Sequence, residues 1–200
     1  MLAAAIFAIS PVATGVRPVA HARVRAGTTA PSPPRRLIAR PLRPRPGAAR
    51  RGGPVSSADL FTNRVFANSR IGFALANVES AQYPARSTDG GRSWRIDGPQ
   101  VHVDAADGAE GVGYVGVAGP RTFFAYGSSA VDVTTDGGRT WWEAFLGELV
   151  VAVVPGPDTE LVAYVQQQLN PKRVTPAATW QYVSRDGGRQ WIYSPALGGL

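Results

Sequence analysis

Three aspartates recur in one setting: Asp89 within STDGGRSW (87–94), Asp136 within TTDGGRTW (134–141) and Asp186 within SRDGGRQW (184–191). A carboxylate beside a glycine turn can act as a general acid, as a calcium ligand, or as a fastener of the turn itself. Two further clusters could do chemistry. The stretch DAADGAEG (104–111) offers Asp104, Asp107 and Glu110 at three-residue spacing. Hard cations take several carboxylate and carbonyl oxygens, but this spacing matches no known calcium loop, and a solvated acidic loop is the plainer reading. The stretch QQQLNPKRVTPA (166–177) sets Lys172 beside Arg173. That pair suits an anionic ligand or partner, but a polar insertion between strands is the plainer reading.

Other chemistries lack their residues. The chain has no cysteine, and its two histidines, His21 and His102, are far apart in sequence. Disulfides, thiolate sites, zinc clusters and a catalytic triad are therefore not expected, and neither is any metal or cofactor. The glycine-rich run GAEGVGYVGVAG precedes no helix and has no GxxxxGK[ST] pattern. It reads as a strand under close backbone approach, not as a phosphate loop. Hydrolysis by two carboxylates would have to draw on Glu79, Asp97, Asp104, Glu110 or Glu148.

The recurring octapeptide explains itself as a hairpin. Its glycines can take the positive φ that tight turns require. Its aspartate can accept hydrogen bonds from the turn's N–H groups. The hydroxyl two residues earlier (Ser87, Thr134 or Ser184) can bond within the same loop. The tryptophan opens the outgoing strand, buries a large apolar face and has one N–H to satisfy.

The surrounding elements are strands. Runs such as RIGFALAN (70–77), TFFAYG (122–127), ELVAYVQQ (160–167) and TWQYVS (179–184) are five to eight residues long and bounded by turn residues, which argues an all-β chain. The octapeptides start 47 and 50 residues apart. A period of that size with about four strand-like runs in each predicts β-propeller blades. The blades are expected over about 59–98, 112–147 and 149–197. The fold expected is a partial β-propeller of about three four-stranded antiparallel blades.

The pattern Ser/Thr-x-Asp-x-Gly-x-Thr/Ser-Trp resembles the Asp-box, or BNR repeat. Sialidase-like, sortilin-type and photosystem II assembly-factor propellers carry it, as do some xyloglucan-cleaving enzymes. Ser87, Asp89, Gly91, Ser93 and Trp94 match every position, as do Thr134, Asp136, Gly138, Thr140 and Trp141. The third copy matches at Ser184, Asp186, Gly188 and Trp191, with Gln190 in place of the hydroxyl. The resemblance implies that each box joins the third and fourth strands of a blade, on the face away from the usual ligand site. It thus implies a structural role for the three aspartates, and directs attention to the loops 97–111 and 168–177. Sialidases hold a substrate carboxylate with three arginines. Here Arg92, Arg139 and Arg189 fall in box turns, Arg70 and Arg121 fall at turns on the wrong face, and only Arg173 is well placed.

Charge divides the chain. Ten arginines and no acidic residue precede Asp59, which leaves eleven basic against all fourteen acidic residues beyond, a net −3. A nucleic-acid-binding domain is a poor reading of such a body. Residues 1–22 resemble a signal peptide, with an apolar run at 2–9 and Ala20-His21-Ala22 before a cleavage point. Residues 23–54, rich in Arg and Pro, read as a disordered linker, and 55–200 as the propeller-like repeat domain. No stretch reaches the twenty or so apolar residues of a membrane span.

Three blades do not close a ring. The chain can be a fragment of a longer product, two copies can complete a six-bladed ring as a homodimer, or the sheets can form an open stack whose edges the tail covers. The first is preferred. The expected function is that of a secreted, non-catalytic binding or scaffold protein of the bacterial envelope, with a protein or carbohydrate partner. The alternatives are a glycoside hydrolase of sialidase or xyloglucanase type, and an assembly factor similar to the photosystem II propellers.

Overall fold

A computed structural model describes residues 35–101, 113–167 and 178–194, all in a unit that begins at Pro33. Three short strands come first: β1 (Arg36–Ile38), β2 (Arg40–Pro41) and β3 (Pro54–Val55). A single 3-10 turn, Ser57–Asp59, follows. Next come β4 (Val65–Phe66), β5 (Gly72–Val78), β6 (Ala81–Ser87) and β7 (Trp94–Ile96). Then come β8 (Tyr114–Gly119), β9 (Thr122–Gly127), β10 (Ala130–Thr134) and β11 (Trp142–Phe145). The last four are β12 (Leu149–Pro155), β13 (Leu161–Gln166), β14 (Thr179–Ser184) and β15 (Gln190–Ser194). The described chain is all-β, with no α-helix and hence no helix able to cross a membrane.

The strands form three antiparallel sheets: β3-β7-β6-β5-β4, β2-β11-β10-β9-β8 and β1-β15-β14-β13-β12. Each contains four consecutive strands as a meander. Each also contains a fifth, outermost strand taken from the Arg/Pro-rich segment. The expected count of four strands per sheet is thus one short. The expectation of a disordered 23–54 does not describe the chain from Arg36 on. The segment runs past the third, second and first sheets in that order, pairing Leu37 with Trp191, Pro41 with Trp142 and Val55 with Trp94. Proline is tolerated there because an edge strand needs hydrogen bonds on one side only. The intervening amides bond as strand amides do: Ala39 N donates to Arg189 O at 2.9 Å and Leu42 N to Trp141 O at 2.9 Å.

This changes the charge distribution. Seven of the ten early arginines lie at or beyond Arg35, so the chain from there on has a net charge of +4 rather than −3.

The sheets stack in order, and the second packs apolar side chains on both faces. Toward the first sheet, Phe73 stacks on Phe123 at 5.0 Å and on Trp141 at 5.7 Å, with Leu75, Val101 and Ala125 around them. Toward the third, Val131, Val133 and Leu146 pack on Val153, Leu161, Val165 and Trp191, with Ala39 of the early segment among them. Gly116 allows the Phe124 ring to lie across β8, since a Cβ there would sit 2.2 Å from the ring. No core cluster of the described residues joins the first sheet to the third, so the stack is open.

Candidate functional site

Each octapeptide closes the hairpin between the third and fourth strands of a meander. Both glycines take positive φ in all three copies, from 70 to 87°. The hydroxyl acts as a relay. Ser87 Oγ donates to Asp89 Oδ1 at 2.8 Å and accepts from Gly91 N at 2.8 Å. Thr134 does the same at 2.9 and 2.9 Å, and Ser184 at 3.0 and 2.8 Å. The aspartates then accept from the far side of the turn: Asp89 from Ser93 N, Asp136 from Thr140 N and Asp186 from Gln190 N, each at 2.9 Å. Asp89 also accepts from Ser93 Oγ at 2.5 Å.

These bonds have an electrostatic consequence. The Ser93 hydroxyl and amide, with Ser87, hold the Asp89 carboxyl well below the usual carboxylate range. For Asp136, burial pushes the carboxyl up, but the donors from Thr140, Thr134 and Arg139 together outweigh it and the net shift is downward. A carboxylate so stabilised in its ionised form is a poor general acid at neutral pH.

The tryptophans differ. Trp94 and Trp191 bond back to Gly91 O and Gly188 O of their own hairpins, at 3.1 and 3.0 Å. Trp141 instead donates to Asp97 O of the first sheet at 3.2 Å. Asp97 is buried at this seam. Arg51 of the early segment donates from Nη2 to Asp97 Oδ1 at 2.9 Å and to Gly137 O at 3.0 Å. Burial raises the Asp97 carboxyl above its ordinary range, and the Arg51 bond and charge offset only part of that. Its Oδ2 is buried without a hydrogen-bond partner among the described residues.

Beside that pair lies a strongly charged hollow. Arg51, Arg86, Arg121 and Arg139 line it with Asp136 and Gly137, enclosing about 350 Å³. Arg86, on β6, packs its guanidinium over Phe123, 5.5 Å from the ring centroid, and reaches Gly137 O and Pro120 O at 3.4 Å. A second hollow of about 300 Å³ shares Arg51 and Arg86 and adds Arg95. Sequence reasoning placed Arg121 and Arg139 in separate turns and left Arg51 in the tail. Only the return of the early segment and the stacking of the first sheet on the second bring them together.

Asp104, Asp107, Glu110, Lys172 and Arg173 lie outside the described residues. Glu79 sits exposed in a two-residue turn at φ 50°, and Asp97 belongs to the seam just described. One carboxylate pair escaped notice: Asp132 and Glu143 face each other across β10 and β11. They are 0% and 3% exposed, and Arg40 of β2 pairs with Glu143. Asp132 sits in AVDVT, where alternation suggests a solvent-facing residue, but the second sheet has no solvent face. Among the described residues no cluster of three or more His, Cys, Asp or Glu could hold a metal. No protein-family model, curated protein or solved structure matches the chain.

Proposed function

We propose that the three meanders are Asp-box propeller blades and that the protein is an exported, non-catalytic binding scaffold of the cell envelope. Its partner is a protein or a carbohydrate. The observation that carries this reading is the use made of the three repeated aspartates. Each holds its own hairpin through a hydroxyl relay and a backbone N–H, which commits its carboxylate to the turn. Among the described residues, the facing carboxylate pair Asp132 and Glu143 lies buried between packed sheets, where a sugar cannot reach it. The signal-like start at 1–22 supports export.

The test has two arms. The full chain is screened against fluorogenic sialosides and xyloglucan oligosaccharides, and its depletion by insoluble envelope polysaccharide is measured. No turnover with saturable depletion is the expected result. Turnover abolished by substitution of one carboxylate would make the protein a glycoside hydrolase instead.

A further inference from the structure

The seam between the second and third sheets shows how little the fold asks of this position. The residue before the box hydroxyl is Arg86 in the first sheet and Val133 in the second. Val133 packs in the core against the third sheet, close under Gly188. A valine therefore suffices to seat one sheet on the next hairpin. At the first seam the same place holds an arginine, and the early segment adds a second one, Arg51, on the same carbonyl, Gly137 O. Arg51 answers the buried Asp97, but packing alone does not call for the Arg86 guanidinium.

The remaining wall adds Arg121 and Arg139, both exposed and neither in an ion pair with a described residue. Four guanidiniums thus stand against two carboxylates, Asp136 in the hollow and Asp97 on Arg51, an excess of two positive charges. Arg86 Nε is buried without a hydrogen-bond partner among the described residues. Each guanidinium carries five N–H donors and no acceptor. Arg51 and Arg86 are held by Asp97, Gly137 and Phe123, so a ligand would not have to order them.

We infer that this hollow binds a phosphate group, as the free dianion or as a phosphate monoester. A dianion matches the excess charge, and a tetrahedron of oxygens can take forked donors from several arginines at once, where a carboxylate offers two oxygens. The site lies at the box hairpins and does not rest on the scaffold reading proposed above.

The first hairpin supplies its own control. Arg70 and Arg92 hold the places that Arg121 and Arg139 hold in the second: Gly90 N bonds Arg70 O and Gly137 N bonds Arg121 O, each at 2.9 Å. Neither Arg70 nor Arg92 lines the hollow. The full chain is titrated calorimetrically at pH 8 and low salt with inorganic phosphate and with glycerol 3-phosphate. Arg121→Gln/Arg139→Gln should weaken binding about tenfold or more, and Arg70→Gln/Arg92→Gln by less than about twofold. If the first pair lowers the melting temperature, Arg121→Gln alone is used. Arg86→Lys keeps the charge and loses the fork, and should also weaken binding. Equal affinity for the two probes identifies a site for the free ion, and tighter binding of glycerol 3-phosphate a site for an ester. No saturable binding of either probe, or equal weakening by the two double variants, overturns the proposal.

Discussion

Arg51 and Asp97 form an ion pair of 2.9 Å between a segment that composition reads as disordered and the buried end of β7. The Asp97 side chain is 10% exposed and that of Arg51 46%. Removing the arginine strands a charge at a packed seam. Arg51→Gln should cost about 1–3 kcal/mol, and Arg51→Gln/Asp97→Asn should recover part of it, in a double-mutant cycle by urea denaturation. The pH dependence has a definite sign. A carboxyl whose folded pKa is raised destabilises the folded state once ionised, and that cost disappears as the pH falls through the folded value. The deficit of Arg51→Gln should therefore shrink on acidification from neutrality. A deficit that grew with acid would contradict the assignment.

Asp136→Ala leaves the amide of Thr140 and the hydroxyl of Thr134 without their acceptor, a loss of about 1–3 kcal/mol in chemical denaturation. Asp89 and Asp136 have depressed folded pKa values. Their contribution is complete above the unfolded carboxylate value of about 4 and is lost as the pH falls below it. The wild type should lose stability along that acid limb, and Asp89→Asn/Asp136→Asn should flatten it. Unchanged stability in Asp136→Ala, with altered ligand binding, would return the aspartates to the list of functional groups.

Two glycines separate backbone strain from crowding. Gly138 and Gly147 share nearly the same φ, 83° and 84°. A Cβ on Gly147 would meet nothing within 4 Å, whereas on Gly138 it would lie 2.2 Å from Asp97 O. Gly147→Ala should cost about 1–2 kcal/mol from strain alone, and Gly138→Ala more than about 3 kcal/mol. Equal costs would mean that Gly138 is not pressed against the first sheet.

The meander strands were legible because short β-branched and aromatic runs alternate with turn residues, and the hairpins because Asp-Gly-Gly supplies both the left-handed glycines and their acceptor. The fifth strands were not. RLI, RP and PV are too short and too rich in arginine and proline to carry a period of two, and they become strands only by borrowing the outer edges of β15, β11 and β7. The arginine hollow was hidden for the same reason. Arg86 looks like one strand residue among many until Arg51 returns beside it from 35 residues upstream. Asp132 was unreadable because polar alternation marks exposure only on a sheet with one wet face.

Hydrogen exchange at Ala39 and Leu42 tests most directly whether the Arg/Pro-rich segment is part of the folded body. Their amides donate to Arg189 O and Trp141 O, and Ala39 is 5% exposed within the core that joins the second and third sheets. Both amides should be protected about as strongly as those of β11 and β15, exchanging only through cooperative opening. Exchange of Ala39 and Leu42 at random-coil rates, with β11 and β15 still protected, would contradict the account.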